Sequence, residues 1–95
     1  MEVHDVKRAD RIERISKLSR TYAQSGNYGD WSSIERALVR QGLPEARIYL
    51  DRRHLRAELD AMCKFARSAK ARGLTYMAAV REAQSRLSQS QDKTP

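Results

Sequence analysis

Apolar residues in this chain return mostly every three or four positions, with no sustained strand-like alternation, so the sequence carries a helical period. Ile12, Ile15, Leu18 and Tyr22 share one face of a helix expected from about Arg8 to Gln24. The 25–30 segment, Ser-Gly-Asn-Tyr-Gly-Asp, is made of turn formers and ends it. Ser32 and Glu35 match a capping box, predicting a second helix with Ile34, Ala37 and Leu38 inward and Gly42 just past its end. Pro44 suits a first helical turn, so a short third helix is expected to about Leu50, with Ile48, Ala46 and Leu50 turned in.

Asp51 reads as the N-cap of the longest helix, about Arg52 to Arg72, whose buried stripe is Leu55, Leu59, Met62, Cys63, Ala66 and Ala69. Gly73 stops it. Thr75 then caps a fifth helix that carries Met77, Val80, Ala83 or Gln84, and Leu87 to about Ser88. The expected fold is all-α: a small bundle of about five short helices forming one domain over 8–88. A flexible N-terminal tail at 1–7 and a disordered polar tail at 89–95 are expected to flank it.

Charge constrains the function more than any motif does. The formal net charge is +7 on 95 residues. Residues 7–20 set Lys7, Arg8, Arg11, Arg14, Lys17 and Arg20 against Asp10 and Glu13, a net of +4. Residues 52–72 set Arg52, Arg53, Arg56, Lys64, Arg67, Lys70 and Arg72 against Glu58 and Asp60, a net of +5; the rest sums to −2. A concentrated positive field selects polyanionic partners, because neutralised phosphates release counterions. At 100° per residue Arg53, Arg56, Lys64 and Arg67 fall together opposite the apolar stripe, a surface suited to phosphates. Asp60 stands inside that stripe, four residues from both Arg56 and Lys64, so ion pairs on a solvated face are the plainer reading of part of it.

Residues 34–50 have the outline of a helix-turn-helix: a capped helix, Gly42, the apolar plug Leu43, and Ile48 six positions after the glycine. On that reading Arg47 approaches base edges, while Arg52 and Arg53 reach phosphates. Leu38 stands where alanine is usual, and a plain αα corner accounts for the same outline. Ala69 and Gly73 begin a second such outline running to Leu87, with Ala79 in the anchor position and Val80 one residue late.

The other chemistry-bearing residues favour structural roles. Trp31 is expected to fold back as core, whereas Tyr28 stands open between core and a stacking surface for a partner or an unpaired base. Cys63 lies on the apolar stripe, far in sequence from His4 and His54. His54 and Glu58 alone make a weak metal pair, and no glycine-rich phosphate loop is present. No catalytic residues, metal or cofactor are therefore expected, and the chain is not expected to be an enzyme.

No apolar run nears the roughly 18 residues of a membrane span. The start, Met-Glu-Val-His-Asp, has no secretory pattern, and a lone cysteine suits a reducing cytoplasm. These readings converge on a small basic nucleic-acid-binding or regulatory protein, DNA and RNA undecided, with a homodimer through the fifth helix as an option. The alternative is a protein-interaction module that docks on an acidic partner, using the region of Leu74, Tyr76 and Met77 as its apolar anchor.

Overall fold

Five helices follow one another without a strand among the described residues: α1 (Glu2–Ser25), α2 (Trp31–Arg40), α3 (Ala46–Tyr49), α4 (Arg53–Ala71) and α5 (Tyr76–Asp92). The computed structural model describes the backbone of residues 2–92 and the side chains of residues 8–87. The chain is an all-α bundle. Its backbone is helical from Glu2, six residues before the start that periodicity indicates, and α5 runs on to Asp92. Residues 93–95 of the expected C-terminal tail lie outside the described residues. No described helix is long and apolar enough to cross a membrane.

α1 and α4 form the central pair, with α2 and α3 packed against them and α5 laid on α4. Ile15 and Ala23 of α1 share the core with Leu59 and Cys63 of α4, and Ser19, Ala66 and Ala69 on the same two helices are also buried. Ile34, Ala37 and Leu38 close the core from α2, and Leu43, Ala46 and Leu50 from the α2–α3 corner. Small side chains on the facing strips let the central pair approach. Buried Ser19 satisfies its own hydroxyl by donating to the Ile15 carbonyl at 2.6 Å.

The chain comes close to α4 at Gly26, which leaves α1 at φ +80°. A Cβ there would lie 3.1 Å from the Ala66 carbonyl oxygen and 3.1 Å from Lys70 Cδ, so backbone conformation and space both require glycine. Gly42 ends α2 differently: its N–H donates to Val39 and the Leu43 N–H reaches back to Leu38, the Schellman pattern. Leu43 is thereby driven into the core beside Leu38. α4 ends with the same hydrogen-bond pattern, from Gly73 to Lys70 and from Leu74 to Ala69.

Several local expectations are corrected. Asp30, not Ser32, caps α2: its carboxylate accepts the Ser33 N–H at 3.0 Å and the Ser33 hydroxyl at 3.1 Å. Trp31 thus becomes the first residue of the helix, half-buried against the core. α3 is a single turn, and Ile48 points outward at 74% exposure while Ala46 and Leu50 are buried. One turn offers only one inward face, and Ala46 and Leu50, four residues apart, occupy it. Asp51 does not cap α4. The flanking residue is Arg52, which makes no capping hydrogen bond, and Asp51 pairs with Arg56 instead. Thr75 does cap α5, accepting the Ala78 N–H at 3.1 Å.

Gly26 and Gly42 have similar dihedrals but different surroundings, since a Cβ at Gly42 meets nothing within 4 Å. Gly42→Ala is expected to cost about 1 kcal/mol from the left-handed backbone alone. Gly26→Ala is expected to cost about 2 kcal/mol or more, because the Ala66 carbonyl belongs to a helix that must shift. Urea denaturation of the two variants checks the order, and equal losses would contradict the close approach.

Candidate functional site

The four arginine and lysine positions expected to form one stripe on α4 divide by environment. Arg53, Lys64 and Arg67 are exposed. Arg56 is not available: its guanidinium carbon lies 3.8 Å from the centroid of Trp31, its Nε–H donates to the Leu50 carbonyl at 2.8 Å, and Nη2 reaches Asp51 at 3.1 Å. Arg67 lies alongside the 26–30 loop, its Nη1 3.8 Å from where a Gly29 Cβ would stand. Asp60 makes neither of the ion pairs its spacing suggests. It accepts the Trp31 N–H at 2.8 Å, satisfying one of the orphan donors at the start of α2. Lys64 is therefore without an ion-pair partner among the described residues.

Most other acids are similarly occupied. Glu45 takes a bidentate pair from Arg11, at 2.7 Å from Nε and 2.8 Å from Nη2, and the same Arg11 Nη2 donates to the Gly42 carbonyl at 2.8 Å. Glu58 meets Arg20 at 3.3 Å, and Glu82 meets Arg72 at 2.6 Å and Arg86 at 3.4 Å. Asp30 is held below the usual carboxylate range by the Ser33 N–H, and Glu82 by Arg72. The Arg11 fork pulls Glu45 furthest, from the ordinary 4.5 to about 2. Acids are thus spent on holding elements together, and the uncompensated cations face outward.

Three of those cations converge. Arg36 and Arg40 on α2 and Arg47 on α3 line a depression of about 250 Å³ together with Glu35 and Val39. All three arginines are exposed and none makes an ion pair among the described residues. Arg36 and Arg40 are four residues apart on one helix face, an arrangement of like charges that costs a helix roughly 0.2–0.5 kcal/mol. Sequence reasoning reached Arg47 and missed its two neighbours. The signal that marks them is an arginine pair at i, i+4 on the face opposite Ile34, Ala37 and Leu38.

The remaining predicted residues disperse. Arg52 lies over Tyr49, 5.5 Å from the ring centroid. Tyr28 is half-buried and stacks on Tyr22, with centroids 4.9 Å apart and planes 14° off parallel, so its ring packs within the protein. Tyr76 is half-buried and meets Phe65 edge to face at 5.3 Å. Met77 is open, at 57% exposure. Cys63 is buried, and burial pushes its thiol up, away from nucleophilic use. In the second helix-turn-helix outline Ala69 and Ala79 are buried and Gly73 turns the chain, but Arg86 and Arg72 are both drawn to Glu82. Among the described residues no three His, Cys, Asp or Glu side chains gather closely enough for a metal ion. No protein-family model, curated protein or solved structure matches the chain.

Two expected outcomes separate the arginines that hold the structure from those that do not. Arg56→Ala removes a cation–π contact and a hydrogen bond to a helix-terminal carbonyl, and is expected to cost about 2 kcal/mol. Arg53→Ala is expected to change stability by under about 0.5 kcal/mol; chemical denaturation reads both. Among the depressed carboxylates Glu45, the furthest lowered, makes the largest contribution to the acid dependence, with Asp30 and Glu82 acting in the same direction. Glu45 binds protons less readily in the folded form than in the unfolded form, so its contribution is present above 4.5 and is lost as the pH falls towards 2. Thermal unfolding followed by circular dichroism should show that loss over this window, and Glu45→Gln should reduce it, leaving the part due to Asp30 and Glu82.

Proposed function

We propose that this protein binds nucleic acid chiefly through phosphates, using a basic surface centred on Arg36, Arg40 and Arg47. The observation that carries this reading is the cluster of three exposed arginines, none in an ion pair among the described residues, which outnumber the one carboxylate, Glu35, that lines the same depression. Glu45 and Asp51, the carboxylates on either side of Arg47 in sequence, are held by Arg11 and Arg56. Arg52, Arg53, Lys64 and Arg67 extend the field from the start and outer face of α4. Base reading from α3 is not part of the proposal, because a single turn is too short to lie along a major groove.

A regulatory role, in which binding occludes a site, suits so small a surface. The second reading, docking on an acidic protein, rests on the exposed side chains Met77 and Leu87 on α5, 57% and 65% accessible. A second copy of this chain would use the same residues.

Fluorescence anisotropy of a labelled duplex and a labelled single-stranded RNA, titrated across a salt series, tests the proposal. Affinity should fall linearly with log salt, with a slope of about 0.7–0.9 per phosphate neutralised. The triple variant Arg36→Gln/Arg40→Gln/Arg47→Gln should flatten that slope by about 2–3 while remaining folded. Absence of binding to either nucleic acid at low salt, from folded protein, overturns the reading and leaves the acidic-protein alternative.

A further inference from the structure

The α2–α3 depression brings three arginines to one hollow, whereas the hollow on α1 has Arg8 alone beside Glu13. Phosphodiesters along a strand present one negative charge each and are met well by exposed cations such as Arg53 and Lys64. They need no concavity. Arg36, Arg40 and Arg47 instead line one hollow together with Glu35 and Val39. Its volume of about 250 Å³ falls just below the roughly 300–1,000 Å³ of clefts that enclose whole small molecules. It suits one projecting group and the carbon atoms next to it.

From this geometry we infer that the depression is a seat for a phosphate monoester, the phosphorylated end of a nucleic-acid strand. The inference rests on the nucleic-acid reading above and names the group recognised. Charge carries it first. The three arginines and Glu35 that line the hollow carry a net charge of +2. A phosphate monoester carries about −1.5 to −2 at pH 7, so it matches this charge better than a phosphodiester does. Guanidinium groups also present paired N–H donors in a planar fork, and a terminal phosphate offers three unesterified oxygens to receive them. Val39 gives the adjoining sugar an apolar wall.

The setting is fixed in advance. Arg36 and Arg40 stand on a helix capped at both ends, by Asp30 and by the turn at Gly42. Arg47 is held in register by Arg11, which grips Glu45 and the Gly42 carbonyl at once. That grip also removes Glu45, two residues from Arg47, as a competitor for the ligand. Arg11 is on this view a positioning residue, acting through the corner it clamps.

Three oligonucleotides of one sequence test the seat with the full-length chain: one with a 5′-phosphate, one with a 3′-phosphate, and one with hydroxyls at both ends. Anisotropy competition compares them with adenosine monophosphate and inorganic phosphate. A phosphorylated end is expected to bind about tenfold more tightly than the hydroxyl-ended strand, the gain of one set of charge-assisted hydrogen bonds. In Arg47→Gln both strands should weaken and the preference should collapse towards one. Equal affinity of phosphorylated and hydroxyl ends in the unmodified protein overturns the seat and leaves general phosphate binding intact. Competition by adenosine monophosphate as strong as by the phosphorylated strand supports a monoester seat filled from free nucleotide. If no strand binds while the mononucleotide binds and is lost in Arg47→Gln, the seat stands and the nucleic-acid reading falls. Absence of binding by all five overturns both.

Discussion

The contact on which the arrangement of α2, α3 and α4 depends is Arg56 against Trp31. The guanidinium covers the indole at 3.8 Å, while its Nε–H takes the Leu50 carbonyl left unpaired at the end of α3. One side chain on α4 thereby holds the beginning of α2 and the end of α3. Asp60, one turn further along α4, accepts the Trp31 N–H and fixes the same helix start. From the opposite side Arg11 of α1 grips the α2–α3 corner through Glu45 and Gly42. The corner that presents Arg36, Arg40 and Arg47 is therefore pinned from both central helices, by arginines whose donors are engaged within the fold.

This reliance on polar joints follows from how little apolar material the fold has. The fully buried large side chains are few, and alanines, among them Ala23, Ala37, Ala46, Ala66, Ala69 and Ala79, make up much of the buried apolar set. The molecule is long for its size, with extents of 60 × 28 × 21 Å and a radius of gyration of 16.6 Å, against about 12 Å for a rounded domain of this length. α5 contributes to that length: Ala79 is buried against α4, while Leu87 on the same helix is open to solvent. A thin core makes partly exposed ion pairs matter more than usual. Among them the bidentate Arg11–Glu45 pair has the geometry that survives solvent best.

Helix number, the inward stripes of α1, α2 and α4, the turn at Gly42 and the Thr75 cap were legible in the sequence. Spacing along one helix and the chemistry of its ends decide them locally. The faces of α3 were not, because a single turn is oriented by its neighbours rather than by its own period: Ala46 and Leu50 were placed correctly and Ile48 was not. The α2 cap was misplaced by two residues, since Asp30 and Ser32 are both competent caps. The packing of Trp31 beneath Arg56 favours the first.

For the candidate site the division is sharper. The sequence alone determined that the chain is an all-helical protein with a large positive surplus, and on which helix faces that surplus lies. Only the tertiary structure decided which cations are free. Arg56 and Lys64 share a stripe by periodicity, yet one is folded over an indole and the other is exposed. Arg36 and Arg40 lay outside the two basic stretches and became a site only when Arg47 was brought beside them. The physical reason is that periodicity orients side chains only relative to their own helix. The groups that neutralise, stack on or crowd them come from other helices, and which ones arrive is settled by how the helices pack.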